Sequence, residues 1–327
     1  MLRYTIKRLL QLIPTTVGVL LLTFVLFYVV GGSSAEVALG QHADAASIEA
    51  FNARYGYDKP LLLGSWSQTE GLPLKDRIAE LFDSQFVNYI ASLAKGDLGE
   101  SVAYGMRVSE VLKNGVVPSL TITVPILIGG TVIALMLAMA AAVHRGGVVD
   151  KAVLLGSTLL MSINYVVWIL AGQFVLSYKL GLFPVWGFEG VAYLILPVII
   201  GIASGLGRDI RYFRTVLLDE MGRPYIRTAI SKGLSKNRVV WGHLFPNALI
   251  PVVTYVSLSV PYLFTGSLLL ESFFGIPGLG GVSINAIHSA DVATVRAIVI
   301  LGSLLYQIVN LITDLCYAWL DPRVTAK

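Results

Sequence analysis

Few side chains in this sequence of 327 residues stand where they could do chemistry. Asp314 lies inside an apolar run, where a carboxylate often marks a proton or ion path. It falls about two turns from the end of that run, and no second carboxylate or histidine inside an apolar run completes a relay. A structural hydrogen bond or an interfacial position is therefore the expectation. His144, His243 and His288 fall near run ends or in connecting segments, without the H-E-x-x-H or close Cys/His spacing that would hold a metal. Cys316 is the single cysteine, so no disulfide forms within the chain. No G-x-x-x-x-G-K followed by Ser or Thr occurs, so ATP chemistry must come from another polypeptide.

The elements that would position these residues are set by a membrane solvent. Hydrophobic residues make up 55% and charged ones only 13%, against about 25% charged in a soluble domain. Apolar runs near 20 residues read as membrane-crossing helices, because a bilayer forces every backbone polar group to pair within the protein. Leu9 to Val30 is the first such run, long enough at about 1.5 Å per residue to cross the hydrocarbon core. The competing reading is a cleaved leader behind Arg3, Lys7 and Arg8; so long an apolar stretch favours an anchor. Further runs lie at 117–143, 153–178, 192–206, 245–270 and 297–320, giving an all-α protein with six spans. The fourth is short and contains Pro197, Gly201, Gly205 and Gly207, which fit close helix packing.

Charge orients these spans. With the N-terminus inside, the cytoplasmic segments (the N-terminal tail, 144–151, 208–245 and the tail after Leu320) hold 15 Lys and Arg, against two in the short outer loops. The long 31–116 loop adds seven basic and eleven acidic residues, and long loops count little. Both termini are expected in the cytoplasm. The chain then divides into a tail and first helix (1–30), an outer loop with an insertion (31–116), and a five-helix core (117–327) carrying the 208–245 loop.

That loop has the pattern of a rigid knob. Pro224 favours a helix start, Tyr225 to Ser231 form about two turns, Gly233 takes a positive φ, and a second helix follows from about Lys236. Ala229 is small enough for close docking. Attraction to lipid headgroups would account for the basic charge but would not require the glycine bend. Pro118, Pro125, Asn164, Tyr165, Gln173, Pro246, Pro251 and Pro261 either line a path or make ordinary interhelical bonds.

Tyr225, Arg227, Thr228, Ala229, Lys232, Gly233, Leu234, Ser235, His243, Asn247 and Ala248 resemble the EAA loop of binding-protein-dependent permeases, in the version of the peptide/nickel family. Arg3 to Pro14, Gly96 to Ser101 (GDLGES), Glu271 with Pro277 to Gly280, and Asp321 to Arg323 (DPR) resemble the same family in the same order. The chain departs from it after the first helix, where Gly31, Gly32 and Ser33 replace the usual proline and acidic residues. The insertion between Pro60 and Gly96, with an amphipathic stretch near Leu81 to Leu93, and the segments at Phe264 and Asn310 are similar to Yej-type peptide permeases.

The resemblance implies an ATP-binding-cassette importer permease that takes up peptides or related solutes such as nickel chelates. Its coupling loop (Tyr225, Arg227, Thr228, Ala229, Lys232, Gly233, Leu234, Ser235 and His243) would insert into a groove on an ATPase subunit. Glu271, Pro277, Gly278 and Gly280 would form a periplasmic gate, with a plain glycine-rich turn the other reading. The implied partners are a second homologous permease, ATPase subunits that bind ATP and Mg, and a periplasmic substrate-binding protein, with no cofactor or metal on this chain. An ion-coupled carrier or membrane-embedded enzyme would need paired buried carboxylates or an inverted repeat, and the sequence has neither.

Overall fold

The computed structural model describes residues 2–30, 44–55, 57–64, 73, 76, 80, 82–260, 263 and 267–320; side chains at 2–9, 28–30, 54–55 and 314–320 lie outside the description. Among the described residues every regular element is helical, apart from one isolated antiparallel bridge between Glu100 and Arg107. This is the form that satisfies backbone groups within lipid.

The helices are α1 (Leu2–Phe24, continued by a π-helical turn Val25–Val30), α2 (Ala45–Tyr55), α3 (Gln85–Ala94), α4 (Val108–Val143) and α5 (Val148–Ser162). Then come α6 (Tyr165–Gly172, continued by Gln173–Lys179), α7 (Ala192–Met221), α8 (Pro224–Ser231), α9 (Lys236–Val239) and, after a π turn Val240–Leu244, α10 (Phe245–Ser257). α11 (Leu268–Phe274), α12 (Leu279–His288) and α13 (Val292–Leu320) are the last of the described helices.

Among the described residues, five stretches are long and apolar enough to cross a membrane: Leu10–Phe27, α4, α7, Lys236–Ser257 and Val292–Thr313. Two further pairs pass together but are bent, α5 with α6 by 89° and α11 with α12 by 90°. The third apolar run is thus two helices rather than one. Ile163 is extended, and Asn164 caps the second half by accepting the Val166 N–H at 2.9 Å. The fifth run, expected to reach Leu270, is also divided. α10 stops at Ser257, four residues before Pro261, and Leu268 opens α11. α7 runs 15 residues beyond Leu206, so the basic loop begins as a rigid continuation of the fourth span. α4 starts nine residues before the expected Val117, because Val108, Val111 and Leu112 are buried and anchor its first turns. Asp314 and Cys316 lie on α13 with their side chains outside the description, as does all of Asp321 to Arg323.

The chain divides into two compact units, residues 1–114 with 282–304 and residues 115–281 with 305–327. In the first, the apolar face of α3 packs against α1 and the start of α13. Phe24, Tyr89 and Ile300 form the buried centre, Phe24 meets Phe86 edge-on at 5.1 Å, and Arg296 lies 5.2 Å above the Tyr89 ring. Ser84 caps α3 by accepting from the Val87 N–H. The GDLGES stretch turns through positive φ at Gly96 and Gly99, and Ser101 Oγ donates to the buried Asp291, which also accepts from Thr294 Oγ1 at 2.8 Å.

The second unit has two apolar cores. One joins α4, α7, α8 and α10 around Phe213, Leu217, Ile226, Leu244 and Val252; the other joins α4, α6, α7 and α11 around Ile122, Ile169, Leu196 and Phe274. A side chain on Gly207 would collide with the Ser157 carbonyl and one on Gly201 with Ile126, so the expected close packing through glycine is what α7 shows. Arg214 grips Asp150 with two bonds of 2.7 Å, and Asp150 accepts the Gly146 N–H, closing the turn between α4 and α5.

Candidate functional site

Local sequence determines the knob between α7 and α10. Arg223 is extended and Pro224, which has no N–H to leave unpaired, opens α8. The helix closes in a Schellman arrangement: the Leu234 N–H bonds to Ala229 O at 3.4 Å and the Gly233 N–H to Ile230 O at 2.9 Å. Gly233 has φ 80, a backbone state that costs any side chain about 1–2 kcal/mol. A Cβ there would meet nothing within 4 Å. The bend therefore needs glycine for its backbone alone.

The knob has two faces. Ile226 and Ala229, three residues apart, are buried with Val239, Leu244 and Ala248 in the chain's own core, and Leu234 packs against them. The small size of Ala229, which allows close docking, here serves packing within the chain. Tyr225, Arg227, Thr228, Lys232 and Ser235 are exposed, and His243 is half-buried. Tyr225 donates its hydroxyl to Glu220 Oε1 at 2.6 Å; partial burial, then this carboxylate, pushes its pKa up. Asn247 Nδ2 donates to the His243 carbonyl at 2.6 Å, joining the knob to α10.

A second constellation surrounds the bend between α11 and α12. Glu271 is fully buried. Its Oε1 accepts from Ser119 Oγ at 2.8 Å and from the Ser267 N–H at 2.9 Å, and its Oε2 accepts the Gly280 N–H at 2.7 Å. Ser119 Oγ in turn accepts the Leu279 N–H at 2.8 Å. A single carboxylate thereby joins α4, the start of α11 and the start of α12. Each bond favours the charge that burial opposes.

The glycines here are steric requirements. A Cβ on Gly278 would overlap Glu271 and Ser119, and one on Gly280 would lie 2.6 Å from Leu268 Cα. Gly275, with φ 69, lies flat against the Trp186 indole. Pro277 is exposed between them and has no N–H to leave unpaired. Gln173 Nε2 bonds to the carbonyls of Val185 and Phe273, and Tyr165 OH meets Ser267 Oγ at 2.9 Å. Of the two readings for Tyr165 and Gln173, interhelical bonding is the one observed.

The structure thus brings Glu271, Gly278 and Gly280 together as one network, and sets Tyr225 to Ser235 on a single protrusion. The sequence reading missed Ser119, Ser267 and Trp186. Ser119 directly after Pro118 was a weak cue, since a hydroxyl inside a span needs a partner.

Several membrane-crossing helices among the described residues, with a compact exposed knob between two of them, define an integral membrane protein. Residues 130–326 match the family described as "Binding-protein-dependent transport system inner membrane component", and residues 1–102 match "Binding-prot-dependent transport system membrane comp, N-term". The glutathione transport system permease protein GsiC of Pectobacterium atrosepticum is 31% identical over 330 residues, and that of Salmonella typhimurium 32%, each aligned over the full length of both chains. The chain belongs to this family: it is a multi-pass inner-membrane permease subunit of an ATP-binding-cassette importer of the peptide/nickel type. It is not itself an enzyme, because in this family the ATPase is a separate subunit.

Proposed function

We propose that this permease lines half of a path for short peptides or related solutes and turns closure of separate ATPases into helix movement. The observation that carries the coupling reading is the glycine-bent knob, whose apolar face is spent inside the chain while Tyr225, Arg227, Thr228, Lys232 and Ser235 face outward. A knob fixed at both ends, on α7 and on the helix that begins at Lys236, transmits a push to two spans at once. ATP and Mg would be bound by the ATPase subunits.

Counting α5 with α6 as one broken span gives six crossings, with α11 and α12 as a re-entrant element. The positive-inside bias then places both termini and the knob in the cytoplasm and the 31–107 segment outside. In this arrangement Glu271, Pro277, Gly278 and Gly280 form a periplasmic gate. The carboxylate stiffens its bend, so gating is a swing of a rigid element rather than a local unfolding. A second homologous permease would complete the path and a periplasmic binding protein would deliver cargo. Relatives named for glutathione, a tripeptide, support peptides over a bare metal ion.

The test is mild-detergent purification from native membranes, followed by uptake assays in cells carrying Gly233→Glu. Co-purification of an ATPase and a second permease, lost in the variant along with uptake, is the expected result. Recovery of the chain alone, or unchanged uptake, would overturn it.

A further inference from the structure

α11 is held at both of its ends, in opposite ways. Its start is held from inside: the Ser267 N–H bonds to Glu271, which is fully buried and reaches Ser119 on α4. Its end is held by the strap that follows α6. Gln173 Nε2 donates to Phe273 O at 3.0 Å and to Val185 O at 2.8 Å, so one amide joins helix and strap. The Gly187 N–H donates to Phe274 O at 2.9 Å, and the Trp186 indole covers Gly275. Phe273 and Phe274 are the last residues of α11, where carbonyls run out of partners within the helix, and the strap region supplies a donor to each. The strap itself belongs to α6, because the Leu182 N–H bonds to Leu176 O at 3.0 Å and Ser177 Oγ donates to Pro184 O at 3.2 Å.

The two ends differ in what it takes to let go. Around Glu271, a carboxylate and its donors would be stranded away from water. At the strap, Val185 is 43% exposed and Trp186 68%, so water is at hand to replace the bonds as they open. Leu270 and Phe274 keep α11 on its apolar core, but contacts of that kind have no preferred direction and tolerate a tilt. A movement of the bend therefore pivots where Glu271 holds it and comes free along the strap.

We infer that Gln173 and Trp186 are positioning residues for the gate: with the strap from Pro184 to Gly187 they latch the end of α11, and the gate opens by leaving this latch while the Glu271 network stays whole. This rests on the reading of α11 and α12 as the outer gate.

The test is hydrogen exchange read by mass spectrometry, on the transporter purified with its co-purifying subunits in lipid nanodiscs, nucleotide-free and trapped with ATP and vanadate. The peptide carrying Gly187 is expected to exchange about tenfold faster in the trapped state, as the loss of two hydrogen bonds implies. The peptide carrying Gly280 should keep its protection. Gln173→Leu, which removes both amide bonds, should give fast exchange at Gly187 without nucleotide, again with Gly280 protected. Trp186→Ala should do the same to a smaller degree, and Trp186→Phe, which keeps an aromatic face on Gly275, should restore slow exchange. Slow exchange at Gly187 in Gln173→Leu would overturn the positioning role, as would lost protection at Gly280 in that variant, which a general loosening of the fold would give. Faster exchange at Gly280 on trapping, with or without Gly187, would overturn the latch and leave the gate reading in place. No change at either peptide would overturn both.

Discussion

The knob at Arg223 to Leu244 and the bend at Ser267 to Gly281 both turn on glycine, for opposite reasons. At Gly233 the backbone conformation is what matters, and the space beside it is empty. At Gly278 and Gly280 the space is what matters, because Glu271, Ser119 and the α11 backbone already fill it. The bend is knit together by a buried carboxylate with donors from three segments, whereas the knob is tied down on one face and left polar and open on the other. The bend spends its polar groups inward, and the knob keeps its outer side chains free of the chain's own core.

The comparison breaks most visibly at Glu271. Glu271→Ala strands the Ser119, Ser267 and Gly280 donors in a buried site, and the expected loss is about 4 kcal/mol, read as collapse of the monodisperse peak in detergent. Glu271→Gln keeps the shape but turns one acceptor into a donor facing a donor, so it should fall between Ala and wild type. If either variant matches wild-type stability, the carboxylate is not what holds the bend. Gly280→Ala comes next, at about 3 kcal/mol, because a methyl at 2.6 Å from Leu268 Cα meets backbone that cannot step aside.

Gly233 sharpens the contrast from the other side. Gly233→Ala should cost only about 1–2 kcal/mol of stability, seen as a small drop in melting temperature. Gly233→Asn should cost less, since asparagine tolerates the left-handed region. Gly233→Glu should be no less stable than Gly233→Ala, because nothing in the chain lies within 4 Å of its Cβ. It should nevertheless lose the ATPase on purification. A glutamate variant that unfolds would erase the distinction between the two glycine classes.

How far each region could be read in advance follows from the range of its interactions. The knob was legible down to Pro224, Gly233 and Lys236, because caps and left-handed bends are encoded within a few residues. Its inner and outer faces were not separated, since that depends on which distant helix packs beside it. The bend was legible as a glycine-rich motif by resemblance, but Ser119, 152 residues from Glu271, was not. Hydropathy found the membrane-crossing runs and overran their breaks at Asn164 and Ser257, because an apolar run stays apolar across a cap. It also missed the first turns of α4, where Glu110 and Lys113 dilute a stretch that Val108, Val111 and Leu112 anchor.

The smallest effect concerns a carboxylate of the opposite kind to Glu271. Asp83 is half exposed and accepts from Lys59 Nζ at 2.6 Å and Asn88 Nδ2 at 2.9 Å, and these donors, Lys59 foremost, hold its pKa below the usual aspartate value. A pKa lowered on folding adds stability above the unfolded value near 4 and loses it as pH falls through the lower folded value. Solvent screening limits the pair to at most about 1 kcal/mol. The melting temperature of wild type should therefore exceed that of Asp83→Asn by a small, constant margin from pH 7 to about 5, and the margin should shrink below about pH 4. Raising salt should narrow it at neutral pH as well. Glu271→Gln, tested over the same range, should show no such salt dependence, because its partners are buried hydroxyl and backbone dipoles that ions do not reach. Matching salt responses at the two sites would mean that burial does not separate these carboxylates.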